Sequence, residues 1–467
     1  MRILQAASEA FPFCKTGGLA DVVGALSRQL GEAGHEVLLF VPRYRVIDPA
    51  ILDGAQVLSV AAAPEGVSLR VVRHRSITAV FVECPRLFDR EGLYWVDGRD
   101  HSDNGERFAV FSRVLLAGAR ALGFKPDIVH LHDWQAALAA VFLKADPFFA
   151  GVPSVLSLHN IAYQGAFPAQ TFLEAGLSPQ DFEGARVGEN YSFLKAGLIH
   201  ADWLTTVSPS YAREVQTAGC GMGLEDVLSR RHDRLEGILN GIDLEDWDPA
   251  TDSFLPQRYS GDRMTGKSIC KRELMAACGL QAEGDIPLVG MVARLDRQKG
   301  WDIAQEALES RLERCRFVGV GEGDPALVEA TSQWAGRHPG QAHFFCGYNE
   351  EFAHRLYAAC DMLLMPSRFE PCGLGQMIAM RYGCVPVVAR TGGLADTVHE
   401  QGESPNGFTA KPDDAADFGR ALDRAFTRHQ EMTWKELMRI GMQADFSWAK
   451  SLERYLALYG RALREAR

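Results

Sequence analysis

No run of apolar residues in this 467-residue chain is long enough to cross a bilayer. The opening residues, Met1-Arg2-Ile3-Leu4-Gln5, read as a strand, with no apolar targeting segment or cleavage site expected. Positive charge is in deficit: 49 Lys and Arg face 60 Asp and Glu, for a formal net charge of −11. Nucleic-acid binding needs a basic face that neutralises phosphates, so neither nucleic acid nor membrane is an expected partner. A local basic pocket for a small phosphorylated ligand is compatible with that balance. The ten cysteines are scattered from Cys14 to Cys384, with no C-x-x-C pair and no zinc-like cluster. A reduced, cytoplasmic chain with no metal is therefore expected, with Cys84, Cys315 and Cys360 as small buried hydrophobes.

Familiar catalytic signatures are scarce as well. No G-x-S-x-G elbow is present, which removes the commonest hydrolase reading. Gly319-Val-Gly-Glu-Gly323 places its third glycine too early for a dinucleotide fingerprint. Asp246-Trp247-Asp248 is a pair of the kind that holds a divalent metal. It lies in a polar stretch just before Pro249, however, where aspartates cap turns, and the turn reading is the stronger.

What is present is length for two or three domains and an ordinary globular balance, 47% apolar and 23% charged. Apolar runs suited to buried parallel strands recur at 3–7, 37–41, 127–131, 155–158 and 204–207, separated by helical patterns. Shorter alternating runs at 57–61, 69–72 and 78–82 read as a hairpin insertion. The pattern breaks between Asn240 and Ser268 in a stretch rich in Asp, Pro and Gly. A second series follows at 288–293, 316–320, 343–346, 362–365 and 385–389. The expected organisation is α/β, with doubly wound domains at 1–245 and 268–445 and a linker at 246–267. A terminal helix within 446–467 docks back onto them.

The polar residues gather at strand ends. After the first strand comes Lys15-Thr-Gly-Gly-Leu-Ala-Asp-Val22, where a glycine turn, a lysine and a helix start suit a phosphate. Thr391 to Asp396 repeats Thr16 to Asp21 residue for residue. His132-Asp133-Trp134 and His159-Asn160 end two neighbouring strands and point to a common site. In the second half, Arg294 and Lys299 can neutralise a diphosphate leaving group without metal. Ser367-Arg-Phe-Glu-Pro-Cys-Gly-Leu374 sets a carboxylate, Glu370, before a turn and a helix start.

In their order, these motifs, with Leu158-His-Asn-Ile-Ala-Tyr-Gln-Gly165 and Leu239-Asn-Gly-Ile-Asp243, resemble the bacterial and plastid glycogen (starch) synthases of glycosyltransferase family 5. The resemblance spans essentially the whole chain. It implies the GT-B fold, two Rossmann-like domains facing a deep inter-domain cleft. It also implies ADP-glucose as donor, an α-1,4-glucan such as glycogen as acceptor, retention at the anomeric carbon, and no metal or other cofactor.

The roles it implies are as follows. Arg294 and Lys299 grip the diphosphate, with Lys15 and Gly18 approaching it from the other domain. Glu370 binds glucose hydroxyls, and the amides of Cys372, Gly373 and Leu374 meet phosphate and sugar. His159 contacts the glucose 6-hydroxyl, and Asp133 and Asn240 orient the sugar or the incoming hydroxyl. Tyr348 stacks on adenine and Asp21 contacts the nucleotide. Tyr94 and Trp134 offer faces to the acceptor glucan, alongside Asn160. Where many relatives carry a second glutamate eight positions after the first, this chain has Ile378, as the synthases do. Ser27, where proline is common, and Trp95 depart from the usual pattern at places read as remote from the chemistry.

Overall fold

The computed structural model describes residues 1–60, 66–281, 284–347 and 349–466. The chain divides into two compact units, Met1–Ile238 with Trp448–Arg467, and Leu239–Ser447.

Among the described residues, unit 1 is built on a nine-stranded sheet. Its strands are β1 (Arg2–Ala6), β2 (Glu36–Pro42), β3 (Gln56–Ser59), β4 (Ser68–His74), β5 (Ile77–Glu83), β6 (Ile128–His132), β7 (Ser154–Leu158), β8 (Trp203–Thr206) and β9 (Leu235–Gly237). They lie in the order β9-β8-β7-β6-β1-β2-β5-β4-β3. β1 is central and pairs in parallel with β2 on one side and β6 on the other. A parallel strand covered on both faces needs apolar side chains on both, so Ile3, Leu4 and Ala6 are fully buried and read as a continuous run. Helix Gly18–Glu32 buries Leu19, Val22, Val23, Leu26 and Leu30, one face at helical spacing.

The hairpin expected at 57–82 forms, and it extends this sheet rather than standing apart from it. β5 pairs in parallel with β2, and β4 and β3 continue from it antiparallel. Alternation identifies such strands but carries no information about which neighbour they join. Ala61, at the end of the first run, lies outside the described residues.

Unit 2 has β10 (Leu288–Val292), β11 (Arg316–Gly321), β12 (Ala342–Cys346), β13 (Met362–Met365), β14 (Val385–Ala389) and β15 (Phe408–Ala410). All pairings are parallel, in the order β12-β11-β10-β13-β14-β15. This is the dinucleotide-fold order, with its reversal between β10 and β13. The core packs Val289, Met291, Trp301, Phe317, Leu364, Val387 and Leu422. β9 and β15, of three residues each, were not expected, being too short to show periodicity.

The unit boundary falls at Ile238/Leu239 rather than at 245, and the stretch 246–267 packs within unit 2. There Trp247 stacks on His354, His354 Nδ1 pairs with Asp252 at 2.8 Å, and the Tyr259 hydroxyl donates to the Tyr382 carbonyl at 2.8 Å. The terminal helix Trp448–Glu465 belongs to unit 1, against helix Gly18–Glu32. Its Tyr459 hydroxyl lies 2.7 Å from His130 Nδ1, and His130 Nε2 lies 2.7 Å from Ser157 Oγ. Arg454 and Arg461 pair with Glu236.

Because His130 is fully buried, losing one partner leaves a ring nitrogen with neither protein nor water. Tyr459→Phe is expected to lower the unfolding free energy by about 1–3 kcal/mol in urea titrations. An unchanged midpoint would show that the contact contributes nothing to stability.

Candidate active site

In open α/β sheets ligands bind beyond the strands' carboxyl ends, where the strand order reverses. In unit 1 that is the end of β1, beside β6 and β7. The chain leaving β1 carries Glu9, a buried carboxylate that accepts from the Thr16 backbone N–H and, at 3.1 Å, from the Tyr94 hydroxyl. Burial raises its carboxyl above the usual range against these hydrogen bonds. Glu9 thus fixes the glycine turn from below, a role sequence reasoning missed although it stands just before that turn. Lys15 Nζ meets Asp21 Oδ1 at 2.8 Å, so these two expected donor-binding residues are paired. A Cβ on Gly17 or Gly18 would meet nothing within 4 Å, so the start of the long helix opens onto free space.

β6 delivers His132 and Asp133, and β7 delivers His159 and Asn160. Asp133 takes a left-handed backbone, φ 54°, which a non-glycine residue adopts only when its surroundings enforce it. Its carboxylate accepts from the His159 N–H at 2.7 Å and also from the Asn160 N–H. Burial outweighs those amides and lifts its pKa to about 7. Asp133 is therefore engaged with the backbone that carries His159. Asn160 Oδ1 accepts from the Ala162 N–H at 3.0 Å, and the Tyr211 hydroxyl accepts from the Ile161 N–H, closing the turn. His159 Nε2 lies 3.0 Å from His132 Nδ1, and His132 Nε2 lies 3.1 Å from Gln5 Oε1. Desolvation pushes His159 down to about 3 and His132 well below its ordinary value. Both rings are neutral at neutral pH, so His159 is a hydrogen-bonding group rather than a cation.

Two residues expected at the acceptor glucan are largely covered by their neighbours. Tyr94 and Trp134 are each 8% exposed. Trp134 lies among Phe108, Phe167 and Phe193, with Gly165 against its face; Gly165 has φ 59°, and a Cβ there would run into the indole. Tyr94 lies between Trp95 and Phe108. Neither ring offers a sugar an open face. Trp95 and Tyr163, 46% and 54% exposed, do present large apolar surface.

In unit 2 the ends of β10 and β13 meet at the reversal. Arg294, half exposed, reaches Asp296 at 3.3 Å. Lys299 Nζ contacts Glu370 Oε2 at 2.7 Å, and the Ser367 hydroxyl donates to the same oxygen at 2.9 Å. The two loops are joined by the Arg368 N–H to the Gln298 carbonyl and by Gln298 Nε2 to the Phe369 carbonyl. Such a pair holds a cation and a carboxylate in a mostly buried place at fixed geometry. Cys372 follows, buried, its Sγ accepting from the Asn240 backbone N–H, with the thiol raised to about 12 by desolvation. Gly373 has φ 71°, and Leu374 precedes helix Gly375–Arg381. Asn240 is 6% exposed, and its side-chain oxygen has no partner among the described residues. Tyr348 lies outside the described residues.

The repeated run has a different setting. The Gly393 N–H donates to the Glu370 carbonyl, and a Cβ on Gly392 or Gly393 would strike the carbonyls of Glu370 or Cys372. This copy buttresses the Glu370 turn. Two other motifs are also architectural. The turn at Glu322–Asp324 hydrogen-bonds Leu295, and Asp248 caps its own turn and pairs with Arg381 at 2.6 Å. A phosphate-loop spelling escapes the sequence reading, Gly261-Asp-Arg-Met-Thr-Gly266-Lys267-Ser268. It forms no such loop: the buried Lys267 ammonium donates to the Ala358 and Tyr382 carbonyls, and Gly266 packs on the Arg258 carbonyl. Among the described residues no three His, Cys, Asp or Glu gather to hold a metal, and no helix is long and apolar enough to cross a membrane.

Residues 2–230 match the family described as the starch synthase catalytic domain, and 286–428 match group 1 glycosyl transferases. The glycogen synthase of Syntrophotalea carbinolica is 43% identical, covering 99% of each chain. The chain belongs to the glycogen and starch synthase family. A second relative in that family, the glycogen synthase of Anaeromyxobacter dehalogenans strain 2CP-C, is 45% identical over 98% of this chain and 99% of its own. The catalytic domain of starch synthase IV from Arabidopsis thaliana, solved with ADP and acarbose, superposes with a TM-score of 0.90 at 34% identity, covering 99% of each chain. Sucrose-phosphate synthase from Thermosynechococcus elongatus, at 19% identity and TM-score 0.64 over 99% of each chain, shares the fold alone. This glycosyltransferase thus has the GT-B fold, with a Rossmann-like sheet in each unit.

The raised carboxyl of Asp133 has a consequence for stability. From about pH 4 to about pH 7 the folded chain keeps a proton that the unfolded chain has released, so this group favours folding below that window and loses its contribution as pH rises through it. Asp133→Asn keeps an acceptor oxygen but cannot titrate, and its unfolding free energy is expected to fall less steeply between pH 4 and 7. Equal slopes for the two proteins would exclude this account.

Proposed function

We propose that this member of the glycogen synthase family transfers glucose from ADP-glucose to the non-reducing 4-hydroxyl of an α-1,4-glucan, with retention of configuration and release of ADP. The observation that carries the reading is the buried Lys299–Glu370 pair at the strand reversal of unit 2, in a chain aligned over nearly its whole length with glycogen synthases. Support for the donor comes from the Arabidopsis starch synthase, which was solved with ADP bound.

As the bond from the anomeric carbon to the diphosphate breaks, its electron pair passes to the departing oxygen. Arg294 and Lys299 offset the negative charge that develops there, fixed in advance rather than recruited from solvent. Glu370, with Ser367, orients the Lys299 ammonium and takes sugar hydroxyls. The amides of Cys372, Gly373 and Leu374 meet phosphate and sugar, Asn240 accepts from a sugar hydroxyl, and Tyr348 stacks on adenine. Lys15, Gly18 and Asp21 serve the nucleotide phosphates.

For retention, the acceptor hydroxyl attacks the face the diphosphate leaves and gives its proton to the departing phosphate oxygen. This needs no carboxylate nucleophile, and Asp133, bound to backbone amides, suits a positioning role better. His159, neutral, bonds the 6-hydroxyl of the transferred glucose. With Tyr94 and Trp134 covered, Trp95, Tyr163 and Asn160 are the groups best suited to the acceptor glucan. The charge stabilisation comes from side chains, so no metal is required. The ten free thiols suit a cytoplasmic setting.

Glucose is expected to pass from ADP-glucose to glycogen in the presence of a chelator, faster than from UDP-glucose at equal concentration. A folded protein with no transfer under these conditions would refute the activity, and a UDP-glucose preference would refute the donor. Lys299→Ala and Glu370→Ala are each expected to lower kcat by about 10²-fold or more with circular dichroism unchanged. Near-normal turnover in both would remove these residues from the reaction.

A further inference from the structure

A chain of buried hydrogen bonds runs from helix Gly18–Glu32 to the candidate site. The Ser27 hydroxyl donates to Gln5 Oε1 at 3.3 Å, Gln5 Oε1 lies 3.1 Å from His132 Nε2, and His132 Nδ1 lies 3.0 Å from His159 Nε2. Ser27, Gln5 and His132 have no exposed surface. The Gln5 amide nitrogen is buried with no hydrogen-bond partner, so among the described residues this side chain is tied through its oxygen alone. That oxygen can only accept.

A neutral imidazole has one N–H and one lone pair, so a partner that can only accept settles which nitrogen is which. With the Gln5 amide assigned with its oxygen facing that ring, His132 carries its proton on Nε2. Its Nδ1 is then a lone pair, and His159 must donate from Nε2. We propose that Gln5, steadied by Ser27, acts with His132 as a positioning relay that fixes His159 as the Nε2–H tautomer, leaving Nδ1 as an acceptor for a sugar hydroxyl. The relay orients the ring and keeps its second nitrogen free of a proton, so that nitrogen sets no positive hydrogen toward a carbon that gains positive charge as the diphosphate departs. Ser27, read from the sequence as remote from the chemistry, is two hydrogen-bonded side chains away from His159. The catalytic meaning of the relay rests on the assignment of His159 to the transferred glucose; the tautomer does not.

The test uses the full chain labelled with ¹⁵N-histidine, with His159→Gln identifying the His159 resonances. Long-range ¹H–¹⁵N correlation is expected to show a protonated Nε2 and an unprotonated Nδ1. Gln5→Leu is expected to mix the tautomers and lower kcat about tenfold, with KM for ADP-glucose within about twofold. A protonated Nδ1 in the wild-type chain would overturn the relay, as would a Gln5→Leu protein with unchanged tautomer and kcat. Should the wild-type chain show the expected tautomer yet transfer no glucose from ADP-glucose, the relay stands and the functional reading falls.

Discussion

Parallel pairing is the constraint on which both halves of this chain depend, because it points the strands it joins the same way and collects their carboxyl ends at one edge. Residues that follow those strands are brought together whatever their separation in sequence. Lys299 and Glu370, 71 residues apart, make an ion pair because β10 and β13 are neighbours in register. His132 and His159 meet because β6 and β7 pair, and Gln5 reaches His132 because β1 lies on the other side of β6. A one-residue slip in any of these pairings would turn the polar side chain to the opposite face of its sheet.

The two units use that edge for different electrostatic ends. Unit 2 presents charge in fixed geometry: a half-exposed guanidinium, and an ammonium against a carboxylate in a place with little water. Unit 1 presents polarity with little net charge on its histidines. Burial keeps His130, His132 and His159 uncharged, each with one N–H and one lone pair, as directional hydrogen-bonding groups. The carboxyl of Asp133 is spent on holding a turn in shape, at the cost of a left-handed backbone at that residue.

Much of this was legible in the sequence because buried parallel strands are continuous apolar runs, and because His132-Asp133, His159, Arg294, Lys299 and Glu370 stand directly after such runs. What was not legible depended on packing at a distance. An aromatic beside polar residues reads the same whether its face is open or covered, so nothing in the sequence shows that Phe108, Phe167 and Gly165 pack against Tyr94 and Trp134. Gln5 lies inside an apolar run and gives no sign of a partner 127 residues away. The terminal helix is plainly amphipathic, but only the tertiary structure pairs its Tyr459 with His130 in unit 1. The 246–267 stretch reads as a linker by composition, yet its turns pack against the helices of unit 2.

The repeated run Thr-Gly-Gly-Leu-Ala-Asp amounts to an internal control supplied by the chain itself. At Gly17 and Gly18 there is room above the backbone, and a side chain would meet no neighbour. At Gly392 and Gly393 there is none, and a side chain would displace the chain's own carbonyls beneath Glu370. Invariance at the two copies across relatives would therefore record two unlike settings, one where the backbone lies open and one where it is pressed against the neighbouring polypeptide. The same six letters would be conserved for reasons that no comparison of letters can tell apart.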